Sequence, residues 1–235
     1  MRLALVLLAG CDRLFGVPAF QHQHAPVDAA SDSKAAPPMH VQEMSRGVTP
    51  SGASVSVTLA TTPTPQHVLI VIGGATSGTL TLTGGGVVAW ELAASSNVSA
   101  TDQIWYGVTD GSSSSIMLST TSPSPIWADL SEWSGLDASG SFDGMDANGA
   151  SGGPPSSGEI MLSVMTSRAP DLLVFSAAGF GVVNNPVGTW MPFQPTMAGA
   201  VAQHAWYQIT AAAGAQSIQA SYTNDWDAVA GAFHQ

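Results

Sequence analysis

From residue 39 onward the chain shows a period of two in apolar and polar residues, which predicts β-strands. Residues 53–59 alternate Val and Leu with small polar residues, as a half-buried strand does. Residues 68–72 are instead continuously apolar and are followed by a Gly-Gly pair. A continuous run of this length is typical of a strand that is buried on both faces.

Six further segments carry strand patterns and are separated by sequences that favour turns. The segments are residues 39–43, 79–83, 87–93, 103–108, 115–119 and 126–133, and the turn sequences include Gly84-Gly85-Gly86, Asp110-Gly111 and Ser122-Pro123-Ser124-Pro125. The abundance of Gly, Ser and Thr together with Val, Ile and Trp suits short strands better than helices. The predicted fold class is therefore all-β.

The strand pattern recurs after a Gly/Ser/Asp/Pro-rich connection of about 20 residues that follows Gly135. The matching pieces are Leu172 to Phe175 with Val68 to Val71, Trp190 with Trp90, Trp206-Tyr207 with Trp105-Tyr106, and residues 228–233 with residues 128–133. Each half-copy is too short to bury its own hydrophobic face as a separate module. We therefore expect both to pair within one jelly-roll-like antiparallel β-sandwich over residues 39–235. Chance similarity among Gly- and Ala-rich strands is the alternative.

The N-terminal part of the chain has a different character. Residues 12–38 are rich in Pro, Ala, Gln, His, Asp and Ser without a sustained apolar period, which predicts a disordered tether. Before them, a basic start, an apolar run and small residues have the order of a short secretory signal. The predicted division is a signal peptide over residues 1–10, a tether beginning with Cys11 over residues 11–38, and one domain over residues 39–235.

The stretch Leu8-Ala9-Gly10-Cys11 resembles the lipobox of bacterial lipoproteins. The resemblance implies removal of residues 1–10 and acylation of Cys11, with fatty acids such as palmitate holding the protein to a membrane of the cell envelope. More than one acyl chain gives stable anchoring, because each buried methylene contributes about 0.8 kcal/mol. The alternative is a chance apolar N-terminus with an ordinary thiol.

The charge of the chain narrows the range of partners, and its cysteine content limits how the fold can be stabilised. The formal net charge is −11, and Arg168 is the only Lys or Arg from residue 48 onward. Such a domain is repelled by nucleic acid and by anionic membrane surfaces. The single cysteine excludes an internal disulfide, so the domain must depend on its hydrophobic core.

A second resemblance covers residues 39–235. It depends on the order of Val41-Gln42, a buried strand after a turn (His67 to Ile72), Trp105-Tyr106, Glu132-Trp133-Ser134-Gly135 and Ala230-Gly231-Ala232-Phe233. Together these resemble a β-sandwich module that recurs in bacterial secreted and surface proteins, often beside adhesive or sugar-binding domains. The resemblance implies no catalytic residues.

The sequence carries no strong catalytic pattern. The Gly-x-Ser-x-Gly elbow of serine hydrolases is absent. Asp129 and Glu132 lie three residues apart on one predicted strand, so they point to opposite faces and cannot form the carboxyl pair of a glycosidase. A distant acid paired with Glu132 is the remaining catalytic option.

Two groups of residues are candidates for ligand binding. Asp143, Asp146 and Asn148 supply oxygen ligands in a Gly-containing loop, which suits Ca²⁺, although the EF-hand spacing is not met. Most of the seven tryptophans are expected in the core. Trp127 and Trp226 each begin a predicted strand near Pro or Asp, and we predict them as an exposed pair that stacks on a sugar.

These features predict a non-enzymatic, lipid-anchored cell-envelope protein that presents its sandwich to a glycan or protein ligand and needs no cofactor apart from the candidate Ca²⁺. The alternatives are a secreted jelly-roll polysaccharide hydrolase and a self-associating structural component of a surface layer or appendage.

Overall fold

The structure is a computed structural model that describes residues 36–96, 100–139, 148–152, 158–198 and 200–235. Those residues fall in the compact unit Ala35–Gln235. The described residues contain strands and turns but no helix, which confirms the all-β prediction. In that part of the chain there is accordingly no helix that could cross a membrane.

Fourteen strands are defined in the described residues. They are β1 (Met39–Thr58), β2 (Val68–Ala75), β3 (Leu80–Gly84), β4 (Glu91–Ser96), β5 (Thr101–Val108), β6 (Ser115–Ser134), β7 (Asn148–Gly152), β8 (Gly158–Thr166), β9 (Leu172–Gly179), β10 (Met191–Pro192), β11 (Thr196–Ala198), β12 (Val201–Ile209), β13 (Gly214–Tyr222) and β14 (Trp226–Phe233). We call β1 to β6 the first half and β7 to β14 the second half.

Each half builds one main antiparallel sheet. The order is β1-β6-β2-β5-β4 in the first half, where β3 also pairs with β6. In the second half the order is β10-β12-β9-β14-β7, and β11 also pairs with β12. The remaining two strands, β8 and β13, form a separate two-stranded sheet.

The two halves pair their strands in the same register, as the repeated sequence pattern predicts. In the first half Val71 of β2 lies opposite Trp105 of β5 and opposite Leu130 of β6. In the second half Phe175 of β9 lies opposite Trp206 of β12 and opposite Ala230 of β14. Positions in one half can therefore be matched to positions in the other without reference to sequence identity.

Three hydrophobic clusters show how the sheets are layered. One cluster lies between the two main sheets and includes Ile70, Trp133, Val174 and Phe233. The other two lie on the outer faces of the main sheets, one under β3 and the paired parts of β1 and β6, the other under β8 and β13. β2 and β9 are therefore buried on both faces, as the continuous apolar run predicted for β2.

The strands β1 and β6 each contain 20 residues and belong to both layers of the first half. The pairing between them shifts register from Gly47 to Ser54 of β1, opposite the stretch of β6 that contains Pro123 and Pro125. The turn predicted at these prolines is thus an irregularity inside one long strand. Proline removes a backbone donor, and the register shift accommodates that loss without ending the strand.

Reciprocal hydrogen bonds join the two halves in the interior. Asp102 of β5 accepts a bond from the Ser176 hydroxyl of β9 at 2.8 Å. Asp227 of β14 accepts bonds from the Ser96 hydroxyl of β4 at 2.8 Å and from the Ala100 backbone N–H at 2.6 Å. Both carboxyl groups are fully buried. Burial raises the pKa of Asp102 to about 8, although the Ser176 bond opposes the rise, and the nearby Asp227 carboxyl adds to it.

Candidate functional site

An open groove of about 430 Å³ lies on the outer face of the first half's main sheet. We call it the indole groove, because two tryptophans line it together with three leucines. Its lining residues are Thr79, Leu80, Thr81, Leu82, Trp90, Leu92, Gln103 and Trp105. They come from β5, from β3 with the residue before it, and from the start of β4 with the residue before it.

Trp90 is held at the mouth of the groove by the triple-glycine turn. Its indole N–H donates to the Gly84 carbonyl oxygen at 3.2 Å. Gly84, Gly85 and Gly86 all have positive φ angles, which residues with a side chain rarely adopt. A Cβ atom on Gly85 would lie 3.2 Å from the Trp90 ring. The turn therefore lets the partly exposed indole lie close to the backbone.

Trp105 forms the inner wall of the groove. It lies on β5 between Leu92 of β4 and Val71 of β2, and it is 7% exposed. Its indole N–H is buried and has no hydrogen-bond partner among the described residues. A buried tryptophan N–H is usually bonded, and leaving one unpaired costs about 1–3 kcal/mol.

Gln103 lies two residues before Trp105 and faces the same groove. Its side-chain N–H donates to the Ser95 hydroxyl at 3.0 Å. Its side-chain oxygen is buried without a partner in the described part of the chain. Two residues that line the groove thus carry a buried donor and a buried acceptor that are unpaired among the described residues.

The matching position in the second half is closed. Trp206 replaces Trp105, and its indole N–H donates to the Asn185 side-chain oxygen at 3.3 Å. The Phe175 ring stacks on Trp206 with ring centroids 5.3 Å apart, where the first half has Val71. Asn185 lies in the segment beside β13, which takes the place that β3 takes beside β6. The second half therefore supplies a hydrogen-bond acceptor for the indole N–H of its own tryptophan.

The indole groove carries no charge in its lining, although the chain has a formal net charge of −11. The polar side-chain groups of its lining residues are two threonine hydroxyls, one amide and two indole N–H groups. A groove with apolar walls and a few uncharged donors and acceptors suits an uncharged ligand with hydroxyl groups.

A second cavity of about 340 Å³ includes Glu91, Tyr106 and Asp110 in its lining. The Tyr106 hydroxyl donates to Glu91 at 2.5 Å. Hydrogen bonds from Ser112 hold the pKa of Asp110 below its usual value, so this carboxyl is ionised at neutral pH. The cavity is acidic and differs in character from the indole groove.

The prediction that Trp127 and Trp226 form an exposed pair is wrong. Trp127 is completely buried and packs against Ala178 and Val201 of the second half. Trp226 is 7% exposed and belongs to the cluster under β8 and β13. Trp127 is covered by residues of the second half and Trp226 by the sheet of β8 and β13, so neither tryptophan presents a ring face for stacking.

The other predicted site residues are only partly described. Cys11, Asp143 and Asp146 lie outside the described residues, and Asn148 is the first residue of β7, opposite Ala230. Within the described ranges no three His, Cys, Asp or Glu residues come together as a metal site. The Ca²⁺ site and the lipidation of Cys11 remain predictions.

Glu132 is a buried hydrogen-bonding centre, and the partners that contact its carboxylate among the described residues are Gln42, Thr64 and His67. It is 1% exposed, and one of its oxygens lies 2.6 Å from His67 Nδ1 and accepts the Thr64 backbone N–H at 2.9 Å. The other oxygen accepts a bond from the Gln42 side chain. These contacts fasten β1 and the segment before β2 to the end of β6.

The strand patterns of the sequence predict Trp90 and Trp105 as core residues and not as site residues. The available signal was the triple glycine before Trp90, which indicates a close approach of a side chain to the backbone. No family model, curated protein or solved structure matches this chain.

Proposed function

We propose that this chain is a lipid-anchored cell-envelope protein that binds a neutral glycan in the indole groove. The observation that carries the proposal is the unpaired, buried N–H of Trp105 in an open groove. The equivalent Trp206 has the Asn185 oxygen as its partner. A ligand oxygen at Trp105 would take the place that Asn185 has in the second half.

The chemistry of a sugar fits the groove in three respects. The C–H face of a pyranose ring is apolar and packs on an indole ring such as Trp90. Its hydroxyl groups both donate and accept, which matches the Trp105 N–H and the Gln103 oxygen. The charge-free lining gives no ionic attraction for a charged ligand.

The anchoring part of the proposal depends on the lipobox-like sequence ending at Cys11. A flexible tether of about 27 residues has a root-mean-square reach of roughly 30 Å. That reach lets the domain meet a glycan at some distance from the lipid surface. Mass spectrometry of the mature N-terminus tests this part, and an unmodified Cys11 thiol would remove the anchor.

Binding is tested with an array of neutral and charged glycans, followed by titration of intrinsic tryptophan fluorescence. We expect neutral glycans to bind and Trp90→Ala to weaken binding by at least about tenfold, since an aromatic residue that the bound ligand covers contributes more than about 1 kcal/mol. Trp190→Ala is the matched control, because Trp190 holds the corresponding position before β10 and should leave binding unchanged.

The same assays separate the proposal from its alternatives. Release of new reducing ends from a polysaccharide would indicate a hydrolase and direct attention to Glu91 and Asp110 in the second cavity. Concentration-dependent assembly without glycan binding would indicate a structural component. Binding to protein ligands alone would replace the glycan with a protein partner.

A further inference from the structure

A smaller cavity of about 140 Å³ continues the indole groove along β5. Its lining residues are Gly78, Thr79, Leu80, Ser95, Thr101 and Gln103. Three of these, Thr79, Leu80 and Gln103, also line the indole groove. The two spaces therefore adjoin at Gln103, and we call the smaller one the polar extension.

The polar extension differs in chemistry from the indole groove. It contains no aromatic residue, and its side-chain polar groups are the hydroxyls of Ser95, Thr79 and Thr101 with the Gln103 amide. The Ser95 hydroxyl accepts the Gln103 N–H at 3.0 Å and keeps its own proton for donation. Gln103 lines both spaces, and its side-chain oxygen is buried and unpaired among the described residues.

The spacing along β5 sets the two environments side by side. Trp105 and Gln103 are two residues apart on one face of the strand, which corresponds to about 7 Å. A ligand that contacts the indoles at one end therefore reaches hydroxyl and amide groups at the other. A single sugar ring on the indoles leaves the polar extension to water.

We infer that the indole groove and the polar extension are adjacent subsites for a neutral oligosaccharide of two or more units. One unit stacks on the indoles, and the next is held by hydrogen bonds from Gln103 and Ser95. This inference rests on the proposed function, because it specifies the length and orientation of the glycan in the same groove.

The test compares ligands of increasing length. Isothermal titration is carried out with neutral glucose, mannose, galactose, xylose and N-acetylglucosamine and with the corresponding oligosaccharides up to hexasaccharides. In each series that binds, we expect the affinity to rise by about tenfold or more from the monosaccharide to the disaccharide or trisaccharide, as one or two added hydrogen bonds allow.

Variants assign that gain to the polar extension. Ser95→Ala should remove most of the gain with length and leave the monosaccharide affinity within about twofold, because Ser95 lines only the polar extension. Gln103→Ala should lower both the monosaccharide affinity and the gain, because Gln103 lines both spaces. Gln208→Ala is the matched control, because it removes an amide-to-hydroxyl bond to Thr189 of 3.1 Å in the second half and should change neither affinity.

The outcomes distinguish this inference from the proposed function. Equal affinity for monosaccharide and longer ligands, or a length gain that survives both polar-extension variants, would overturn the two-subsite inference while glycan binding stands. Failure of every neutral series to bind would overturn the proposed function itself.

Discussion

The two halves of the domain pair their strands in the same register, but the central tryptophan has a different environment in each half. Trp105 in the first half lines an open groove with its N–H unpaired among the described residues. Trp206 in the second half is stacked on Phe175 and bonded to Asn185. One framework therefore carries a packed position in one half and an open, unsatisfied position in the other.

The difference shows where function can be placed in a repeated fold. The second half uses its tryptophan for stability, because every polar and apolar contact of the ring is supplied by the chain. The first half leaves contacts unused, at a cost in stability that a ligand would offset. The following predictions test this contrast from the largest expected effect to the smallest.

Trp206→Ala should destabilise the domain by about 3–5 kcal/mol, since it removes a large ring from a closed, well-packed position. Trp90→Ala should cost about 1 kcal/mol, because Trp90 is only partly buried. Chemical denaturation followed by circular dichroism measures both values. Equal losses would contradict the assignment of Trp206 to packing and Trp90 to binding.

The buried Asp102 carboxyl between the halves gives the free energy of unfolding a pH dependence. The pKa of Asp102 is about 8 in the folded state, above the unfolded value of about 4. Between these values only the folded state keeps the proton, so the free energy of unfolding should fall with rising pH by up to about 1.4 kcal/mol per unit.

The variant Asp102→Asn isolates this contribution. It removes the titrating group and keeps a side chain that can accept the Ser176 bond. Denaturation at several pH values from 4 to 9 should show a shallower fall for the variant than for the natural protein. If the free energy of unfolding falls equally with pH in both proteins, Asp102 is not the group that makes stability depend on pH.

Glu132→Ala makes one position of the first half identical to its counterpart in the second. Glu132 lies opposite Leu69, and Ala232 lies opposite the equivalent Leu173. The substitution should destabilise the domain by about 1–3 kcal/mol, because the buried partners of the carboxylate lose their acceptor. Glu132→Gln should cost less, since an amide oxygen still accepts. A neutral result for Glu132→Ala would show that water replaces the carboxylate.

Asn185→Ala should leave the Trp206 indole N–H without its hydrogen-bond acceptor. The expected loss is about 1 kcal/mol, and the Trp206 indole N–H resonance should move in a nitrogen–proton NMR spectrum. Asn184→Ala is the neighbouring control, because Asn184 is exposed and bonds Ser221 instead. An unchanged Trp206 resonance would exclude the bond to Asn185.

Local patterns predicted much of the fold. The alternation in residues 53–59 and the apolar run in residues 68–72 correspond to the end of β1 and to β2. β8 was not predicted, although Ile160, Leu162 and Val164 alternate with exposed residues. It follows a Gly- and Pro-rich connection that also contains β7, so composition suggested a loop where strands form.

The candidate site could not be predicted in the same way. Trp127 has the sequence surroundings of a strand end, and its burial depends on Ala178 and Val201 from the other half. The openness of the groove depends on whether the neighbouring segment supplies a residue such as Asn185. Both are contacts between distant parts of the chain, which a pattern along the sequence does not encode.

The pairing of β1 with β6 also sets the order in which this domain can fold. Gln42 near the start of β1 bonds Glu132, which lies 90 residues later in the chain. Pairings between such distant residues form slowly, because a long loop must close before any contact is gained. As the chain emerges N-terminus first, the end of β1 stays without its neighbour until β6 begins to appear, because Thr58 pairs with Ser115. The start of β1 waits until β6 is complete, because Met39 pairs with Ser134. During synthesis β1 is therefore unpaired and exposed to proteases and to other incompletely folded chains.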